Sequence, residues 1–349
     1  MRSSASWASM VGVAGLLIAC EGVGEGRSES GSGIGSLSDT NNSEGTGGTG
    51  EPTGGNTDSV ATMGGLQDSS DDGPLKFDVN EMPDIFVDIE QGCTKVDFLF
   101  IIDNSGSMND EQANLVGSFP GFIEGIQSSL EQVDEYQVGV VTTDDYGPNG
   151  PGCSVFGGLV TETGGNFSSN AVCGPYAAGR NYMTEADDLS QSFACAAQVG
   201  TSGSGTERPM DALVSVVNRD NGGVGQCNEG FLRDDALLVI VIITDEWDGP
   251  GDPENQGSSG TPQDWYDAVV AAKLGISENA VALALINWQQ SMTCTPDSAA
   301  FDGVHIYDFV NLFGDNGFLG GVCEPDYGPI FADAVSVIEG ACNNFQPPG

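Results

Sequence analysis

Four short apolar runs limit what this chain can fold into. They are FLFIID (98–103), YQVGVVTTD (from Tyr136), LLVIVIITD (from Leu237) and VALALIN (from Val281). Each is rich in β-branched or aliphatic residues at consecutive positions, so both faces of the strand need cover. That pattern belongs to central strands of a parallel sheet, and parallel neighbours need a long crossover between them. Stretches with helical periodicity fill those intervals. Leu115, Val116, Phe119, Phe122, Ile123, Ile126 and Leu130 mark one helical face, with Pro120 as a predicted kink. Residues 209–217, 265–274 and 329–339 are further predicted helices. The alternation predicts an α/β fold, with a doubly wound, mostly parallel central sheet flanked by helices. Residues 144–200 interrupt it. They are rich in Gly and Asn and hold three cysteines, which predicts long loops with short edge strands tied by disulfides.

The chain before residue 93 reads differently. Arg2 precedes an uncharged apolar stretch, 7–19, too short to span a membrane comfortably. It ends in LIAC, which resembles the bacterial lipobox. That resemblance implies a signal peptide over 1–19 and acylation of Cys20, so the bilayer is a partner through that lipid. Residues 20–75 carry 15 glycines and no aromatic residue, and predict a disordered linker with a reach of roughly 40 Å. Residues 76–92 form a transition whose alternating apolar positions suggest an edge strand. The expected location is the cell envelope. Glu21 after the lipid cysteine, where an aspartate would signal inner-membrane retention in some bacteria, points to the outer membrane.

Charge excludes whole classes of partner. There are 51 Asp and Glu residues against 9 Lys and Arg, for a net charge of −42. Nucleic acids and anionic membrane surfaces need a basic face, which this chain lacks. Cations are the natural counterpart. Beyond Cys20, eight cysteines remain: Cys93, Cys153, Cys173, Cys195, Cys227, Cys294, Cys323 and Cys342. An even number in an exported chain reads as disulfides, in any of 105 pairings. The single histidine, His305, lies in the run GVHIYDF, which reads as strand-like, and a packed or hydrogen-bonded histidine is its expected role.

The chemistry gathers where predicted strands end. In an open parallel sheet that edge holds the ligand. DNSGS supplies Asp103, Ser105 and Ser107 after the first strand. Asp144 and Asp145 follow the second, and Thr244, Asp245 and Glu246 follow LLVIVII. Thr206 comes in GSGTERPMDAL, just before a predicted helix. Three readings of the serines stand side by side. A nucleophile would need a base within reach, and NSGS is not a nucleophile elbow. Ser107 could cap the following helix. Carboxylates and hydroxyls on one edge also make a hard-oxygen site for Mg²⁺, Mn²⁺ or Ca²⁺.

FLFIIDNSGSM, VGVVTTD, GSGTERPMDAL and VIVIITDE in this order resemble the von Willebrand factor type A domain with its metal-ion-dependent adhesion site. The likeness spans about residues 93–342, within a domain placed at 93–349, and is nearest to exported bacterial lipoproteins of that type. It implies that Asp103, Ser105, Ser107, Thr206 and Asp245 hold a divalent cation, Mg²⁺ first. It also implies a protein ligand that presents a carboxylate to the ion, and no enzymatic activity. The loop around Thr206 is one residue longer to Ala212 and Leu213 than the usual pattern, with Ser204 as a substitute ligand. Asp110 and Glu111 resemble the acids of an auxiliary calcium site, although acids also suit a helix N-terminus. A second reading is a structural envelope scaffold whose metal only steadies loops.

With 36 acidic and 6 basic residues over 93–349, self-repulsion opposes the folded state, and screening relieves it. The melting temperature should therefore rise as sodium chloride is added from ~10 mM to ~1 M. A flat or falling curve would remove the argument.

Overall fold

The sheet is organised around β1 (Lys95–Ile102), which is buried throughout after its first residue. In the computed structural model, residues 92–130, 132–246, 248, 257–287 and 303–349 are described. The signal, linker and transition segments lie outside them, as do Cys20, Cys294 and most of the acidic loop after Glu246. Six strands take the order β3-β2-β1-β4-β5-β6, with β2 (Glu135–Thr142), β3 (Met183–Thr184), β4 (Leu237–Ile243), β5 (Ala280–Ile286) and β6 (Gly317–Gly321). All neighbours pair in parallel except β3, which runs antiparallel to β2 at the edge. The four apolar runs are β1, β2, β4 and β5, and the doubly wound expectation holds.

Alternation along β1 divides the core. Phe98, Phe100 and Ile102 face α1 (Asn109–Ser129), α2 (Leu189–Ala197) and α6 (Gly328–Asn343). Leu99 and Ile101 face α3 (Pro209–Val217), α4 (Pro262–Ala272) and α5 (Val304–Asn311). The first layer is aromatic: Phe100 packs edge-on to Phe119 and Phe193, and Phe122 meets Phe98 and Phe331. Helix α1 continues through the exposed Pro120.

Three expectations need correction. Residues 144–200 are not loops and edge strands alone, because Leu189, Phe193, Ala196 and Ala197 form the buried stripe of α2, capped by Asp188. His305 lies in a helix, not a strand. Ile306, Phe309, Val310 and Phe313 are buried at helical spacing, and that period overrides the local β-branched look. The glycine-rich GFLGG is a strand, β6, which the sequence reading did not anticipate. A Cβ on Gly317 would lie 2.3 Å from the Val310 carbonyl oxygen, so only glycine fits that approach.

The insert is held by polar groups as much as by packing. Buried Asn149 donates to the Cys153 and Leu159 carbonyls and accepts from the Gly150 and Thr161 N–H groups. Disulfides join Cys153 to Cys227 and Cys173 to Cys195. A third, Cys93–Cys342, ties the start of β1 to the end of α6 across 249 residues. Cys323 is disulfide-bonded as well.

Two bases serve the amino-terminal edge of the sheet, Lys273 buried and Arg233 half-buried. Asp97, with no exposed surface, accepts from Arg233 N–H and Nε, both at 2.8 Å. Lys273, 1% exposed, donates to the carbonyls of Arg233 (2.7 Å) and Ala236 (2.5 Å). Removing one partner of such a pair strands a buried charge. Arg233→Met should cost about 3–5 kcal/mol in denaturant unfolding. The Asp97→Asn/Arg233→Met double variant should recover a large part of that. A single variant within about 1 kcal/mol of the parent would show that the pair does not secure this edge.

Candidate metal centre

Strand order reverses at β1, whose neighbours β2 and β4 carry the chain in opposite directions across the sheet. The crevice forms outside the carboxyl ends of β1 and β4. The β1–β4 ladder pairs Ile102 with Ile243 and continues one step further, with Asp103 N–H donating to the Ile243 carbonyl at 3.0 Å. Asp103 and Thr244 therefore leave the sheet together. Asp103 is fully buried. Its Oδ2 accepts from Thr244 Oγ1 at 2.6 Å and its Oδ1 from Ser105 N–H at 2.7 Å.

Hydroxyls continue from there. Ser105 Oγ lies 3.2 Å from Ser107 Oγ, which donates to Asp245 Oδ1 at 3.0 Å. Four of the five expected ligands, Asp103, Ser105, Ser107 and Asp245, thus stand in one cluster drawn from two strand ends. The cap reading of Ser107 does not hold. Met108 is the N-cap of α1, with no side-chain capping bond.

The surrounding loops are pinned to this cluster. Gln112 is 2% exposed; its Nε2 donates to the Asp103 carbonyl (3.0 Å) and the Gly200 carbonyl (2.9 Å), and its Oε1 accepts from Gly200 N–H. Gly203 N–H donates to the Asn104 carbonyl, and a Cβ there would sit 2.4 Å from Asn104 Nδ2. Asp144 accepts from Asn104 Nδ2 and from Ser204 N–H. Asp145 is exposed and, with Asp144, Tyr146 and Gly203, lines a cleft of about 310 Å³ beside the cluster.

The second loop runs beside this cluster, with Gly203 and Ser204 bonded to Asn104 and Asp144. Thr206 is half-exposed and its N–H turns to Ser204 Oγ at 3.0 Å. Its neighbour Glu207, which the sequence reading passed over, is only 5% exposed, and its Oε1 has no hydrogen-bond partner. The one-residue excess between Thr206 and Ala212 was the available signal, because Glu207 lies one residue closer. Of Asp110 and Glu111, Asp110 is exposed, while Glu111 is buried and its Oε2 is also unpartnered.

Electrostatics run in one direction. Burial pushes Asp103 up to about 7, against the bonds from Thr244 and Ser105. Burial pushes Glu111 up to about 8, with Asp110 and Asp245 adding repulsion. Glu207 rises to about 9 by burial, then by the charges of Asp103, Glu246 and Asp245. Asp245 is raised by burial, which the Ser107 bond opposes. The amino ends of α1 and α3 favour nearby carboxylates by about 0.3–1 kcal/mol. An ionised group buried without a partner costs several kcal/mol, so the helix ends do not offset it.

All of these donors are oxygens, the chemistry of hard divalent cations. Among the described residues, no three His, Cys, Asp or Glu side chains stand together in metal-holding geometry. Carboxylates alone do not cage an ion, and the serine hydroxyls are needed to complete a shell. His305 takes no part; its Nδ1 lies 2.7 Å from the Asp248 carbonyl oxygen.

No family model matches the chain, and no curated protein matches it. Among solved structures it is similar to proximal thread matrix protein 1 from the mussel byssus, at 13% identity and a TM-score of 0.39, over 71% of this chain and 49% of that one. It is also similar to the pilus adhesin SpaC from Lactobacillus rhamnosus GG in its open conformation, at 13% identity and a TM-score of 0.34, over 72% and 30%. The chain thus spans about half of the first protein and under a third of the second. Likenesses of this size carry no argument about activity.

Gln112 generates a direct test of the loop scaffold. Gln112→Met leaves the Gly200 N–H and two carbonyls without their side-chain partner and should cost about 1–3 kcal/mol. Thermal melts in a chelator, where no ion masks the effect, would check it. An unchanged midpoint would contradict it.

Proposed function

We propose that the chain is an exported α/β domain of the von Willebrand factor A kind, and that it binds a protein ligand through a divalent cation. Ser107 carries this reading. Its hydroxyl, instead of capping α1, bridges Ser105 to Asp245 across 138 residues of sequence. A helix cap or a nucleophile needs no such partner from another strand end, whereas an oxygen shell does.

Asp103, Ser105, Ser107 and Asp245 would hold the ion, Mg²⁺ first, with Mn²⁺ or Ca²⁺ as alternatives, and the second loop, 200–208, would supply the remaining donor. When bound, the ion supplies an open coordination position for a carboxylate. The hydroxyls of Ser105 and Ser107 bring donors without adding negative charge. Asp103 is oriented by Thr244 and Ser105, so the shell is aimed before any ligand arrives. Asp110 and Glu111 are the residues proposed for a second ion.

The disulfides favour an oxidising, extracytoplasmic site. In this proposal acylated Cys20 holds the domain to the outer membrane through the 20–75 linker. The alternative is an envelope scaffold in which the ion only steadies loops.

Calorimetry of Mg²⁺ and Mn²⁺ binding should give a measurable affinity for the parent and none for Asp103→Ala, with the far-ultraviolet spectrum retained. Equal affinity in the variant would remove the site. Binding of intact cells to a carboxylate-bearing protein surface should be lost in chelator. If chelator lowers the melting temperature but leaves that binding unchanged, the scaffold reading stands instead.

A further inference from the structure

Glu207 is the least explained side chain of the domain. It is nine-tenths buried, and its Oε1 meets no donor. The charges that act on it are Asp103, Glu246 and Asp245, all negative. A carboxylate is not retained in such a place for packing, because an apolar residue would fill the volume without the burden.

The described bases are all engaged elsewhere. Lys95 pairs with Asp235, Arg180 with Glu229, Arg219 with Asp234 and Arg233 with Asp97. Lys273 is bound by backbone carbonyls at the far edge of the sheet. Arg208 follows Glu207 directly, yet its guanidinium lies over the Phe156 ring, 4.3 Å from the centroid, and leans to Asp211. Among the described residues, then, no basic side chain is paired with Glu207.

The loop also holds Glu207 in place. Gly203 N–H is bound to the Asn104 carbonyl, Arg208 N–H to the Thr143 carbonyl at 3.1 Å, and Met210 N–H to Asp248 Oδ2 at 3.0 Å. These bonds fix the backbone on either side of Glu207. Thr206, by contrast, is half-exposed.

On the metal reading above, we infer that Glu207, rather than Thr206, supplies the second-loop ligand to the cation, through Oε1. The unpartnered oxygen, the run of negative neighbours and the commitment of the bases elsewhere are then one fact. A charged donor in place of a hydroxyl changes what the site does. Asp103 and Glu207 alone bring as much negative charge as a dication carries, with Asp245 linked to the cluster through the Ser107 hydroxyl. The ion is therefore held before a partner arrives, and the partner completes its coordination rather than neutralising it. The more tolerant shell of Ca²⁺ suits such a donor set at least as well as the strict octahedron of Mg²⁺.

The test compares the full chain with Glu207→Gln, Thr206→Val and Asp103→Ala. Each protein is stripped with chelator and titrated with Mg²⁺ and with Ca²⁺ alone. Glu207→Gln should weaken binding by about tenfold or more, and Thr206→Val should stay within about threefold. In chelator, Glu207→Gln should melt at or above the parent, because its buried unpartnered carboxylate is gone. Its gain in melting temperature on adding metal should shrink. A merely structural glutamate would do the reverse, with a lower melting point in chelator and an undiminished metal gain, and that result would overturn the assignment. Parental affinity in Glu207→Gln alongside lost affinity in Asp103→Ala also overturns it, while leaving the metal site intact. Parental affinity in Asp103→Ala removes the metal reading and this inference with it.

Discussion

The parallel pairing of β1 with β4 is the contact on which the site depends. It joins residues about 140 apart and runs one hydrogen bond past the last paired residues, from Asp103 N–H to Ile243. That extra bond sets Asp103 beside Thr244 and brings Ser107 within reach of Asp245. A shift of one residue in register would turn every β1 side chain to the other face of the sheet. Phe98 and Phe100 would leave the aromatic layer beneath α1, so the core and the cluster are fixed by the same register.

Charge is distributed along the sheet in the same spirit. Six bases serve 36 acids over residues 93–349. Lys95, Arg233 and Lys273 gather at the amino-terminal edge, where Arg233 compensates the buried Asp97. The carboxyl edge collects Asp103, Glu111, Glu207 and Asp245, and burial raises all four. On the proposed cation reading, these are the carboxylates that an ion would compensate. The low dielectric that makes them costly alone would strengthen their attraction to such an ion.

The insert between β2 and α3 serves the core, through Phe193 of α2, and this edge as well. It holds its shape through Asn149 and two disulfides, and it delivers Gly200 to Gln112 directly behind Asp103. The strand-end loops thus rest on a rigid neighbour, which is what keeping several hydroxyls aimed at one point requires.

Sequence by itself determined the four central strands and most of the helices that cover them. Unbroken apolar runs leave a strand nowhere to go but the middle of a two-sided core, so β1, β2, β4 and β5 were legible. So were α1, α3, α4 and α6, whose apolar residues recur at the helical period. The short α2 was missed because its stripe spans only nine residues, with Leu189 and Phe193 as its only large members. The run around His305 misled because β-branched neighbours hid the i, i+3, i+4 spacing. β6 is a strand only because β5 offers it an edge and glycine allows Val310 to approach. The serine cluster was visible in one stretch of chain, since Asp103, Ser105 and Ser107 sit within five residues. Glu207 was not. A glutamate beside an arginine in a polar loop reads as solvated, and only the folded loops, pressed together at the strand ends, exclude water from its carboxylate. Burial is a property of what surrounds a residue, and that is decided by contacts far away in sequence.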